Sequence, residues 1–166
     1  PPKELNLKIP EEIIREMSGG IWPLEAAAER LDAVRAHGLT VLSCHMMLGF
    51  QTTPEQLTAM LPTLLDFGTA NHISYYVFSP MKDLNGIKNL VPAIKEVSAA
   101  LAESGITLLL HNHEMECIPV NGVTALDYVL EQCPSLGLEL DVGWAKFAGA
   151  DPVSLMRKYH DRIPLL

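Results

Sequence analysis

Short apolar runs alternate with stretches of helical period along this chain. The runs cover residues 40–44 (TVLSC), 73–78 (ISYYVF), 106–110 (ITLLL), 136–140 (LGLEL) and 163–166 (IPLL), with starts 33, 33, 30 and 27 residues apart. Runs this short and this continuously apolar predict strands covered on both faces, as in a parallel sheet flanked by helices. Between them, residues 23–37 place Leu24, Ala27, Ala28, Leu31 and Val34 on one stripe, with Glu25, Glu29, Asp32 and Arg35 outside it. Thr53 reads as the N-cap and Pro54 as the first residue of a helix running to Phe67, with Glu55 in its first turn. A helix over 86–104 stops at Gly105 and the first stops at Gly38, both at positions where a left-handed residue ends a helix. Asp151-Pro152 opens a further helix through Tyr159.

Two α/β architectures accept this repeat. A doubly wound sheet of five strands would fit the length and would carry a glycine-rich phosphate turn at its switch point. Neither GxGxxG nor GxxxxGK[ST] occurs, and Ser18-Gly19-Gly20 reads as an ordinary loop. A (β/α)8 TIM barrel needs about 250 residues and carries polar residues at the C-terminal ends of several strands. The second pattern is present. The expectation is therefore an α/β chain holding the middle βα units of a TIM barrel, one domain over 1–166 with an irregular extension at 1–22.

Composition narrows the function classes. Of 166 residues, 48% are hydrophobic and 19% charged, enough for a sizeable core. Twelve Lys and Arg against 20 Asp and Glu give a net charge of −8 without a basic cluster, which argues against a nucleic-acid partner. No apolar run approaches the roughly 18 residues of a membrane span. Cys44, Cys117 and Cys133 are odd in number and lack CxxC spacing, so a disulfide framework is not expected, and a reducing, cytoplasmic setting is. The chain opens on Pro1-Pro2 and closes on an apolar run, so it is expected to be part of a longer protein.

Chemistry concentrates where strands end. His45 follows Cys44, the segment His111-Asn112-His113-Glu114-Met115-Glu116 follows Leu110, and Asp141 follows Leu140. Alternation along a strand turns His111 and His113 to one face and Asn112 to the other. Two imidazoles and a carboxylate from a neighbouring strand make a mixed nitrogen and oxygen donor set suited to Mn²⁺ or Zn²⁺. His111 and Asp141 are the candidate metal ligands. His111, His113 and Glu116 are the candidate catalytic groups, and His45, His113 and Trp144 the candidate substrate contacts. Each has a plainer reading: His45 an ordinary hydrogen-bonded histidine, Asp141 a cap for the turn at Gly143, Glu114 and Glu116 solvated loop acids, Trp144 packing under a loop. Glu139 shares a face with Asp141, deeper in the barrel, and reads as a buried acid paired with a cation. His37, His72 and His160 read as capping, surface or turn residues.

The stretches GITLLLHNHEME (105–116), LDVGWAKFAGADP (140–152) and residues 159–166 resemble the sugar phosphate isomerase/epimerase group of xylose isomerase-like TIM barrels. That superfamily also holds type IV AP endonucleases, tagatose 3-epimerases and inosose dehydratases. The resemblance runs from about Leu24 onward. It implies a divalent ion (Mn, Zn, Mg or Co) at the C-terminal mouth of the barrel, held by Glu, Asp, His and a second Glu from four strands. The Asp position falls on Asp141. The first Glu position, often followed by Asn in relatives, falls on His111 followed by Asn112, so the usual first acid–base carboxylate is replaced by an imidazole. The remaining His and Glu are expected beyond Leu166. His45 matches a position that contacts substrate or metal, and His113 one that binds substrate or adds a ligand. The implied reaction takes a keto sugar through a metal-stabilised enediolate to an isomer or epimer. A lyase or dehydratase on a keto sugar or inosose, and a barrel fragment that binds a sugar or a protein partner without turnover, are the alternatives. A homo-oligomer is left open, and the acidic charge argues against the AP endonuclease branch.

Overall fold

A computed structural model describes residues 24–46 and 52–166. The expected extension at 1–22 and the Ser18-Gly19-Gly20 loop lie outside the described residues. The chain divides into two compact units, Pro1–Thr40 and Val41–Leu166. In the first, helix α1 (Leu24–Ala36) ends as expected at Gly38, whose φ of +76° lets its N–H reach the Arg35 carbonyl at 2.9 Å.

The second unit is built on four parallel strands, β1 (Ser43–Met46), β2 (Tyr75–Phe78), β3 (Thr107–His111) and β4 (Gly137–Glu139). They pair in the order β1-β2-β3-β4. A doubly wound sheet reverses its order at a switch point; here each strand pairs with the next in sequence, as in a barrel wall. The fifth apolar run joins through one parallel bridge, Glu139 with Leu165, and the Leu140 N–H donates to the Leu165 carbonyl at 3.1 Å. Strand β1 starts three residues later than the apolar run suggested, leaving Leu39 and Leu42 exposed and bringing His45 inside the strand.

Register sorts the side chains. His45, Val77, Leu109 and Gly137 lie in one row across the sheet, and His111 and Glu139 form the next row on the same face. Tyr76, Phe78, Leu108, Leu110 and Leu138 are buried on the opposite face. There the Tyr76 hydroxyl donates to the Leu64 carbonyl at 3.0 Å, fixing that face as the helix side. Gly137 suits its row, because a Cβ there would press on the Leu109 side chain.

The helix layer follows local signals. Helix α2 (Pro54–Ala59) opens on Thr53, which accepts the Gln56 N–H at 3.3 Å while Gln56 returns a bond to the Thr53 N–H at 2.9 Å. The single helix expected to run to Phe67 breaks at Met60, and α3 (Leu61–Ala70) follows. Pro62 explains the break, since it offers no N–H to the preceding turn and its ring crowds that turn's carbonyl. Helix α4 (Leu84–Glu103) buries Ile87, Leu90, Ile94, Val97 and Leu101 along one side. It starts before Gly86 because Asp83 accepts the Gly86 N–H at 2.8 Å. At its end Gly105, with φ +75°, and Ile106 return N–H groups to the Ala102 and Leu101 carbonyls.

Three short helices fall outside the sequence-based expectations: α5 (Glu114–Cys117), α6 (Ala125–Gln132) and α7 (Val142–Phe147). Helix α8 (Pro152–Lys158) is capped by Asp151 as expected, and a 3₁₀ turn spans His160–Arg162. Two polar ties fasten this part. Asp127 on α6 accepts from Lys158 at 2.8 Å and from the Tyr159 hydroxyl. Burial, then that bond to Asp127, pushes the Tyr159 phenol up to about 12. Arg162 donates to the Leu130, Cys133 and Leu136 carbonyls, at 2.7 and 2.6 Å for the first two.

Candidate functional site

The C-terminal ends of β1, β3 and β4 bring four expected or suspected polar residues to one rim. At its centre is Glu139, the last residue of β4, which accepts from His111 Nδ1 at 2.8 Å. The two are register partners, so the contact follows from strand pairing. His45 Nε2 reaches the same carboxylate, 3.2 Å from Oε2 and 3.3 Å from Oε1. Glu139 is thus a largely buried acid paired with two imidazoles. The sequence placed it on the correct face; that its partners are His45 and His111 required the register.

Asp141 divides its oxygens. Oδ1 accepts the Trp144 N–H at 2.7 Å and caps α7, while Oδ2 lies 3.9 Å from His111 Nε2. The capping role and the site position, alternatives at the level of sequence, therefore coexist on one carboxylate. Asn112, which points to the helix side, is fully buried and locks the rim from behind. Its amide donates to the Asp141 carbonyl at 3.1 Å, and its oxygen accepts the Asp141 N–H at 3.0 Å.

His113 stands one step further along the rim. Its ring is 5.0 Å from that of His111 and 5.3 Å from that of Trp144, and Phe147 meets Trp144 edge-on at 5.7 Å. With His45 6.0 Å from His111, five rings form a continuous row from β1 to α7. The His113 Nδ1 is buried without a hydrogen-bond partner among the described residues. Trp144 is partly exposed beside the rim and Phe147 largely so.

Glu116, expected among the catalytic groups, sits elsewhere. Its carboxylate is fully buried, with one oxygen accepting the Lys82 N–H at 2.7 Å and the other the His113 N–H at 2.9 Å. It braces the loop after β2 against the turn after β3, and both oxygens are engaged by the backbone. Beside it, burial and then the Glu116 charge push the Cys117 thiol up to about 12, so no thiolate nucleophile forms there near neutral pH.

The donor chemistry fits a divalent ion in kind. His111 gives its Nδ1 side to a carboxylate, as metal-bound imidazoles do, and turns Nε2 toward Asp141. Among the described residues no group of three or more His, Cys, Asp or Glu is placed to hold a metal ion. His111 and Asp141 make a pair. Also among the described residues, no helix is long and apolar enough to cross a membrane. An open cleft lined by Tyr75, Thr107, Gly137 and Arg162 lies at the opposite, N-terminal ends of the strands, away from the rim.

No family model matches the sequence, and no curated protein does. Solved structures do. A sugar phosphate isomerase/epimerase from Parabacteroides distasonis ATCC 8503 superposes with a TM-score of 0.68 at 20% identity, covering 81% of this chain and 54% of its own. A xylose isomerase domain protein from Planctomyces limnophilus gives 0.62 at 14% identity, covering 86% and 57%. An AP endonuclease, family 2, from Brucella melitensis gives 0.62 at 14% identity, covering 86% and 62%. The chain spans a little over half the length of each of these structures. The fold is that of the xylose isomerase-like TIM barrels, as the sequence resemblance implied.

Proposed function

We propose that the rim of β1, β3 and β4 is part of a sugar isomerase or epimerase site that acts on a keto sugar. The observation that carries this reading is the convergence of His45, His111, Glu139 and Asp141 from three strands at the barrel end where TIM-barrel chemistry is found. The fold shared with a sugar phosphate isomerase/epimerase supports the same class.

A divalent ion at this rim would be held by His111 Nε2 and Asp141 Oδ2, with further donors from outside the described residues, and would supply Lewis-acid stabilisation of an enediolate. The chain's own residues supply the rest. His45 is bound to Glu139 through Nε2, which leaves Nδ1 to hold or give up a proton on the exposed side of the rim. Asp141 places negative charge beside His111, and Asn112 fixes the backbone that carries it. Trp144, partly exposed, offers its indole to the apolar side of a sugar ring, with the tilted His113 ring beside it. Glu116 positions His113 by holding its N–H.

The test is an assay of purified protein for proton exchange at the carbon next to the carbonyl, across a panel of keto sugars and with and without chelator. Solvent deuterium entering that position, lost on chelation and restored by a divalent ion, is the expected result. A protein that binds keto sugars without exchange under any metal condition would overturn the catalytic reading and leave the binding one.

A further inference from the structure

We infer that Glu139 is the positioning residue of this rim, and that it decides which nitrogen of His111 is free to act. An ionised carboxylate only accepts hydrogen bonds. The 2.8 Å contact therefore places a hydrogen on His111 Nδ1, and in the neutral ring the lone pair then sits on Nε2, the atom facing Asp141. The same carboxylate accepts from His45 Nε2, so the two rings hold opposite tautomers and present opposite nitrogens. A free neutral histidine favours hydrogen on Nε2, so His111 is held in the less favoured form.

The geometry leaves little freedom. Register fixes His111 beside Glu139, and Gly137, two residues earlier, leaves room for the Leu109 side chain in the row beneath. The His45 and His113 rings flank the His111 ring in edge-on geometry, with centroids 6.0 and 5.0 Å away. The functional meaning of this arrangement rests on the proposed isomerase reading, because Nε2 is the atom that would bind an ion or take a proton. The ring state itself stands apart from that reading and can be measured without turnover.

The experiment is long-range ¹H–¹⁵N spectroscopy of the full chain labelled at histidine, at a pH above the imidazole range, with the His111 signals assigned by their loss in His111→Ala. Wild type is expected to show His111 protonated at Nδ1 and His45 at Nε2. A His111 ring protonated at Nε2, or a mixture resembling free histidine, overturns the inference. Glu139→Leu is expected to return His111 to the free-histidine pattern; retention of the Nδ1–H form overturns it as well. The wild-type spectrum decides the matter even where the variant does not fold. In kinetics, Glu139→Leu should lower kcat about 10- to 100-fold, the range for partners of a site ligand, with KM little changed. An equal kcat in the two proteins overturns the positioning role. If wild type turns over no keto sugar, the isomerase reading fails while the spectra still decide the tautomers.

Discussion

Replacing Asp141 by Asn would separate the tasks of its two oxygens, because Asn caps a helix about as well as Asp but carries no charge. Asp141→Asn should therefore shift stability by less than about 0.5 kcal/mol, whereas Asp141→Ala, which loses the bond to the Trp144 N–H, should cost about 1 kcal/mol. On the proposed isomerase reading, both should abolish exchange of the sugar proton. Thermal denaturation beside the exchange assay distinguishes the effects, and an Asn variant as unstable as the Ala variant would remove the capping account. Asn112 makes the opposite case. Asn112→Ala strips two buried hydrogen bonds from the Asp141 backbone and should cost about 2–4 kcal/mol in denaturant titrations. The residue types at the rim were readable from where apolar runs stop, and that reading found His45, His111, His113 and Asp141. Of the two backbone amides that occupy Glu116, the His113 N–H is local, three residues back, whereas the Lys82 N–H lies 34 residues away in sequence and was not readable.

At the level of elements, strand pairing carries the site, and Gly137 controls the fit of one row. Gly137→Ala would press a methyl into Leu109 and should destabilise by about 1–3 kcal/mol, as overpacking does. It should also perturb the His111 signals, because Glu139 is two residues on. Unchanged stability would show that Leu109 can move aside. The long helix α4 and the capped starts at Thr53 and Asp151 were legible because caps and period are local. Helices α5 and α7 were not, being only one to two turns long, and α6 went unread although Ala125, Leu126, Val129 and Leu130 share one buried side at helical spacing. The sequence contained a further clue to α6, Thr124 followed three residues later by Asp127, whose N–H it caps at 2.9 Å. The late start of β1 was hidden because His45, inside the strand, resembles a residue that ends one.

Over the whole molecule, the tie between α6 and α8 sets a pH signature. Burial alone would raise the Asp127 carboxyl, but hydrogen bonds from Lys158 and Tyr159 outweigh it and hold the group below its ordinary value. A depressed folded value contributes stability above the unfolded carboxyl pKa of about 3.9 and loses it as pH falls through the folded value. Lys158 is raised, first by its bond to Asp127, so its share is present below the unfolded ammonium value and lost as pH rises through the folded one. Half of the Lys158 side chain is exposed, so the ion pair contributes about 1 kcal/mol or less. Asp127→Asn should lower the melting temperature at neutral pH, and the gap to wild type should close on acidification below about pH 4. A gap independent of pH would mean that the Tyr159 contact, not the charge, does the holding.

The guanidinium of Arg162 binds three carbonyls at the far end of β4 from Glu139, near where α6 gives way to the strand. The anchor and the rim of polar residues thus occupy opposite poles of the same strand. If the rim is the site proposed above, residues at the mouth can accordingly be exchanged while the anchor beneath them stays untouched, so this scaffold would lend itself to divergence of specificity without a matching loss of fold.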